Sequence, residues 1–249
     1  VCVVPIFKHT RKRRKARKTR SAPLLLFDFD GTLADTIQMG VTVFNEIAPD
    51  YGLNKVRRED VAELRHLNTR ALLDRLGMTR LMAVKVAARM RSKFKDRITE
   101  VDLLPGVGEA LKDLLEAGYA MAILSSNAAK NIRRFLSHHG VADCFEFVEG
   151  GASLFGKAER LRGVMRAEKL AAADILYIGD ETRDMEAARE AGVRAVAACW
   201  GVNEEETMTT EDPEFVLSTP ADLLAAAKFA RAHKPKPREH GIRVGEVGE

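Results

Sequence analysis

Short, almost unbroken apolar runs alternate along the chain with stretches of helical periodicity. The runs are Leu24–Asp30 (Leu-Leu-Leu-Phe-Asp-Phe-Asp), Tyr119–Ser126, Phe145–Val148, Asp174–Gly179 and Val193–Cys199. Runs of this length with little polar alternation suit strands covered on both faces, as in a parallel sheet. Between them lie helical patterns at Val107–Ala117, Ala129–His138, Lys157–Lys169 and Arg183–Ala191. Gly118, Gly140 and Gly192 follow three of these, where a left-handed residue ends a helix. Strand–helix alternation predicts an α/β fold, a doubly wound Rossmann-like parallel sheet.

One connection is out of proportion. Asp35 to Leu104 separates the first strand from its next unit, whereas a loop between strand and helix takes about 2–6 residues. Helix-like patterns fill it: Ile37–Ile47, Arg58–Leu64, Arg70–Leu76 and Arg80–Arg97. The pattern predicts a core over residues 21–35 and 101–232 and a helical domain inserted over 36–100. Outside these, residues 1–20 form a basic arm and 233–249 a tail with Pro235, Pro237 and several glycines, both without apolar periodicity.

Composition modifies this picture only through charge. The net +4 comes from the arm, which holds nine Lys and Arg and no acid, so the remainder carries 31 basic against 36 acidic residues, a net of −5. The arm's charge raises the possibility of nucleic-acid binding through residues 8–20, but it lacks interleaved aromatics and the chain shows no nucleic-acid-binding fold. No apolar run reaches a membrane span, and no apolar stretch follows the arm as in a signal peptide. Three scattered cysteines fit a reducing compartment. The expectation is a cytoplasmic protein, monomer or homodimer.

Ligands of open α/β sheets bind beyond the carboxyl ends of the strands. Three such ends carry polar residues suited to phosphate chemistry. In Asp28-Phe29-Asp30-Gly31-Thr32, side chains at i and i+2 leave the strand on one face, so both carboxylates enter one site while Phe27 and Phe29 point away. Two such carboxylates repel unless a cation lies between them or one keeps its proton; one can then attack and the other carry a proton. The second end, Ser125-Ser126-Asn127, leads directly into a helix and offers a hydroxyl and free N–H groups to an anion. At the third, Asp180 and Asp184 supply oxygen ligands for a hard cation such as Mg²⁺. Lys157 opens a helix between the second and third ends and can offset phosphoryl charge. Singly, Asp-x-Asp reads as a turn and Lys157 as a surface charge; their order along one chain gives them weight.

In that order, Asp28-x-Asp30-Gly31-Thr32, Ser126, Lys157 and Gly179-Asp180-x-x-x-Asp184 resemble the four motifs of the haloacid dehalogenase-like hydrolase superfamily, over roughly Leu24 to Leu224. The helical insert resembles the C1-type cap of its phosphoglycolate phosphatase and β-phosphoglucomutase branch. Asp35-Thr36, the run Gly179–Gly192 and Trp200-Gly201 look most like the phosphoglycolate phosphatase type. The resemblance implies a Mg²⁺-dependent phosphatase of a small phosphorylated metabolite, phosphoglycolate leading. Asp28 is then the nucleophile and Asp30 the proton carrier. Ser126, Asn127, Lys157 and Thr32 hold phosphate, with Ser125 the alternative hydroxyl. Asp28, the Asp30 carbonyl, Asp180 and Asp184 surround the metal. A phosphomutase shares this chemistry, whereas a dehalogenase lacks the second aspartate of the first motif. Arg65 and Arg70 flank a loop between insert helices where related caps choose substrate.

Overall fold

The computed structural model describes residues 22–57, 59–151 and 156–233, so the predicted arm over 1–20, Arg58 and the tail beyond residue 233 lie outside the described residues. Six parallel strands form one sheet in the order β3-β2-β1-β4-β5-β6. They are β1 (Leu24–Phe27), β2 (Met121–Leu124), β3 (Phe145–Glu149), β4 (Ile175–Gly179), β5 (Arg194–Ala198) and β6 (Phe215–Leu217). Five match the predicted runs; β6 was not predicted. Chain order reverses between β1 and β4, which places a crevice beyond their carboxyl ends.

Alternating side chains of the sheet build two separate cores. Leu25, Phe27, Phe29, Met121, Ile123 and Ile178 face one way, against α5 (Val107–Glu116), α6 (Ala129–His138) and α10 (Leu223–Ala232). Leu24, Leu26, Ala122, Leu124, Ile175 and Tyr177 face the other way, against α7 (Lys157–Glu168) and α8 (Thr182–Ala191). Both faces are covered, as the unbroken apolar runs require. Phe29 meets Phe135 of α6 edge-on, 5.0 Å between ring centroids, and so packs away from the carboxylates on either side of it.

Between residues 36 and 100 the chain is helical: α1 (Ile37–Ile47), α2 (Asp60–Arg65), α3 (Thr69–Arg75) and α4 (Arg80–Arg97), with short 3-10 turns after α1 and α4. Asn68 and Thr79 cap α3 and α4 by accepting from Ala71 N and Met82 N, so α3 begins at Thr69, one residue before the sequence pattern places it. These helices have their own small core of Phe44, Ile47, Ala48, Val56 and Val86. The two connections to the sheet run side by side, joined by Asp35 N to Asp102 O (2.9 Å) and Leu104 N to Leu33 O (3.0 Å). A short α9 (Glu205–Thr209) precedes β6.

Phe135 is fully buried in the α6 core. Phe135→Ala should cost about 3–5 kcal/mol of folding stability, measured by denaturant titration; a loss under about 1 kcal/mol would contradict the packing described.

Candidate active site

The crevice beyond β1 and β4 gathers four buried charged side chains. Asp28, Asp180, Asp184 and Lys157 are each at most 2% exposed. Asp28 leaves β1 beside Ile178 of β4, whose carbonyl accepts its N–H at 2.8 Å. Lys157, first residue of α7, places its ammonium 2.5 Å from both Asp28 Oδ2 and Asp184 Oδ1. Tyr177 of β4 lies beneath, its hydroxyl 3.3 Å from Asp184 Oδ1.

Asp180 is held from three sides. Thr32 donates to its Oδ1 at 2.7 Å, Val202 N to its Oδ2 at 2.8 Å and Asn203 N to its carbonyl at 3.0 Å. Gly31, with φ +75°, lies so close that a Cβ there would overlap the Asp180 carboxylate, so the turn after Asp30 needs a residue without a side chain. Asp184 also accepts from Glu181 N at 3.2 Å and closes the capping box of α8. Glu181 pairs with Arg183.

Ligand oxygens of Asp28, Asp180 and Asp184 all lie within 4.8 Å of one another, facing one ammonium. Burial raises the Asp28 carboxyl above its usual range, with Lys157 opposing and Asp184 adding to the rise. Burial, Glu181, Asp184 and Asp28 push Asp180 well above it. Desolvation opposes the charge on Lys157, but Asp184 and Asp28 together hold it protonated. Asp28 Oδ1 is buried without a hydrogen-bond partner among the described residues. An all-oxygen set with surplus negative charge and an unpaired oxygen fits a divalent hard cation such as Mg²⁺.

Asp30 is set apart from this cluster. It is half-buried, and Asn127 Nδ2 donates to its Oδ1 at 3.0 Å. Burial and the charge of Asp28 push its carboxyl up to about 7, with the Asn127 amide opposing. A carboxyl that keeps its proton to near neutrality can serve as acid and base in turn.

The predicted residues divide as follows. Asp28, Asp180 and Asp184 come together, Lys157 pairs with Asp28 and Asp184, and Asp30 is held apart from them on Asn127. The Thr32 hydroxyl donates to Asp180, and the Asn127 amide to Asp30. Ser125 is buried, its Oγ accepting from Asn127 N at 3.1 Å, while Ser126 is half-buried. Arg70 lies in the first turn of α3, outside the cluster, and lines a cavity of about 390 Å³ with Thr69, Arg80, Arg183 and Glu186. The side chain of Arg65 lies outside the described residues.

Several residues were not singled out from sequence. Tyr177 reads as one more apolar strand position. Asn203, 3% exposed, accepts from Thr182 N and donates to Leu67 O in the helical segment, both at 3.0 Å. Asn131, 2% exposed, donates to Asn127 Oδ1 at 3.2 Å. A polar residue within a helix or loop gives no sequence signal for such a contact. Trp200 donates to Thr32 O at 3.0 Å.

A family model described as haloacid dehalogenase-like hydrolase matches residues 25–198, from β1 to the end of β5. The chain belongs to the haloacid dehalogenase-like hydrolase family. It is 36% identical over 202 residues to a phosphoglycolate phosphatase of Synechococcus elongatus, covering 81% of this chain and 95% of that protein. It is 29% identical over 223 residues to phosphoglycolate phosphatase 1 of Pseudomonas aeruginosa, covering 85% and 82%. A haloacid dehalogenase-like hydrolase of Streptococcus pneumoniae superposes with a TM-score of 0.67 at 22% identity, over 83% of this chain and 98% of that one. CbbY of Rhodobacter sphaeroides in complex with phosphate does so with 0.60 at 21%, over 83% and 99%. The chain is therefore a phosphatase of the phosphoglycolate-phosphatase-like haloacid dehalogenase type. Among the described residues no helix is long and apolar enough to cross a membrane.

In this haloacid dehalogenase-like chain, Asp30 binds more protons folded than unfolded between its ordinary 3.8 and about 7. Stability of the metal-free protein should therefore fall as pH rises through that window, and less so in Asp30→Asn. Mg²⁺ should raise the melting temperature most at the upper end. Identical pH slopes for the two proteins in EDTA would contradict the assigned environment of Asp30.

Proposed function

We propose that the chain hydrolyses a small phosphate monoester through an aspartyl-phosphate on Asp28, with phosphoglycolate the leading substrate. The observation that carries this reading is the placing of Asp28 against Lys157, with Asp30 held separately on Asn127. An Asp28 carboxylate oxygen attacks phosphorus as the bond to the leaving oxygen breaks. Asp30 gives that oxygen its proton and the alcohol departs. The Asp30 carboxylate then takes a proton from the water that attacks phosphorus, which releases inorganic phosphate and restores both side chains.

Lys157 and Ser126 hold phosphoryl oxygens in this scheme, and Lys157 keeps Asp28 ionised. Asp28, the Asp30 carbonyl, Asp180 and Asp184 would hold Mg²⁺, which when bound offsets phosphoryl charge. Thr32 keeps Asp180 in place through the hydrogen bond described above. Residues 36–100 act as a cap: with Asp28 this deeply buried, the cap opens to admit substrate and closes to exclude water. The reading places the enzyme in the cytoplasm.

A Mg²⁺-dependent screen over phosphorylated metabolites should show phosphoglycolate turnover that EDTA abolishes and that Asp28→Asn lowers by more than about 10³-fold, as for loss of a covalent nucleophile. Release unaffected by EDTA and by that substitution would sink the mechanism. The phosphoglycolate assignment draws on the curated relatives, and in this reading Arg70 or Arg65 meets the carboxylate of the substrate. Replacing both arginines by Ala should lower kcat/KM for phosphoglycolate about tenfold more than for an uncharged alkyl phosphate, as for one charge-assisted contact. An unchanged substrate preference would remove the arginines from the site.

A further inference from the structure

The Asn127 side chain can face Asp30 in only one useful way, and a neighbouring residue selects it. Its Oδ1 accepts two hydrogen bonds, from Ala128 N at 2.8 Å and from Asn131 Nδ2 at 3.2 Å. Its Nδ2 donates to Asp30 Oδ1 at 3.0 Å. Turning the amide over would set an oxygen against the Asp30 carboxylate and an NH₂ against the Ala128 N–H, and would oblige the Asn131 amide to turn as well. Both asparagines are almost fully buried, so water cannot compensate. Ser125 Oγ, accepting from Asn127 N, fixes the same loop from the other side.

We infer that Asn131, on the first turn of α6, is a positioning residue for the proton-carrying carboxyl: it locks the Asn127 amide, which holds Asp30 by one oxygen and leaves the other to face the leaving group. The inference rests on the proposed role of Asp30 as proton carrier. Asn131 touches neither Asp30 nor the carboxylate cluster in any contact described for it, so its effect passes through Asn127. When the bond to the leaving oxygen breaks, the proton on the second Asp30 oxygen moves to that oxygen. The Asn127 contact holds the carboxyl in the orientation this transfer needs.

The test uses leaving groups of different basicity. A p-nitrophenolate departs without a proton, whereas an alkoxide needs one, so loss of general-acid alignment slows the alkyl ester selectively. Asn131→Asp keeps the shape of the side chain but presents an acceptor to Asn127 Oδ1, and Asn131→Ala removes the contact. Measured with Mg²⁺ present, kcat/KM for an alkyl phosphate relative to p-nitrophenyl phosphate should fall about tenfold or more in Asn131→Asp and by a smaller factor in Asn131→Ala, within the 10²–10⁴ range of general-acid catalysis. Asn131→Ser, which can still donate, should recover part of the ratio. The ratio of two substrates does not depend on how much variant enzyme is folded, so poor folding cannot imitate the effect. Asp30→Asn is run in parallel. If it lowers the ratio and the Asn131 variants stay within twofold of the unsubstituted enzyme, the inference fails while the proposed mechanism stands. If Asp30→Asn leaves the ratio unchanged as well, the role assigned to Asp30 fails first.

Discussion

Three buried carboxylates meet beside one buried ammonium that pairs with two of them, and the geometry of this end of the sheet follows from that imbalance. Asp28 and Asp184 both contact Lys157, while Asp180 relies on neutral donors from Thr32 and the backbone of Val202. A buried charge is tolerable only when its remaining lone pairs are occupied, so surrounding residues are committed to that task. Gly31 and Gly201 let two loops close tightly on Asp180, since a Cβ on either would overlap it. Tyr177 adds its hydroxyl beside Asp184 from below. What remains unpaired is one oxygen of Asp28, at the point where surplus negative charge faces the crevice. A hard cation relieves both the repulsion and the missing partner.

The helical segment is tied to this end of the sheet by backbone contacts. Asn203 donates to Leu67 O, Thr207 to His66 O at 3.1 Å, and Thr69 N reaches Thr182 Oγ1 at 3.4 Å. Asn203 also binds Asp180 O through its own N–H and Thr182 N through its side chain, so one residue touches the helical segment, the start of α8 and the Asp180 turn. At the opposite end of the segment the two connections to the sheet are paired, Asp35 N donating to Asp102 O, and the segment has its own small core.

Much of this was legible in the sequence where a repeating physical rule applied. The run Leu24–Phe27 ending in Asp-Phe-Asp announced a buried strand with two carboxylates on one side, because alternation along a strand is geometric. Glycines after helices, and the long helical insertion, were equally legible. Strand β6 was not, since three residues at the sheet edge, two of them half-buried, make too short a run to distinguish. The targets of Thr32 and Asn127 were not legible either: sequence shows a donor near a site, but only the fold shows that Asp180 and Asp30 take the hydrogen. Asn131 and Asn203 lack any sequence signal, because their partners lie in other turns or other segments.

In the proposed mechanism the two aspartates of the first motif take different roles because the fold gives them different neighbours. Asp28 lies against an ammonium, which favours the ionised form needed for attack, even though burial works against it. Asp30, two residues on, is pushed up to about 7 by burial and by the negative charge of Asp28 beside it, with the neutral Asn127 amide opposing. Ionising Asp28 therefore helps to keep Asp30 protonated, and the nucleophile prepares the acid. That coupling needs a neutral partner on Asp30: a Lys or Arg in place of Asn127 would strip the proton and leave two bases with no acid.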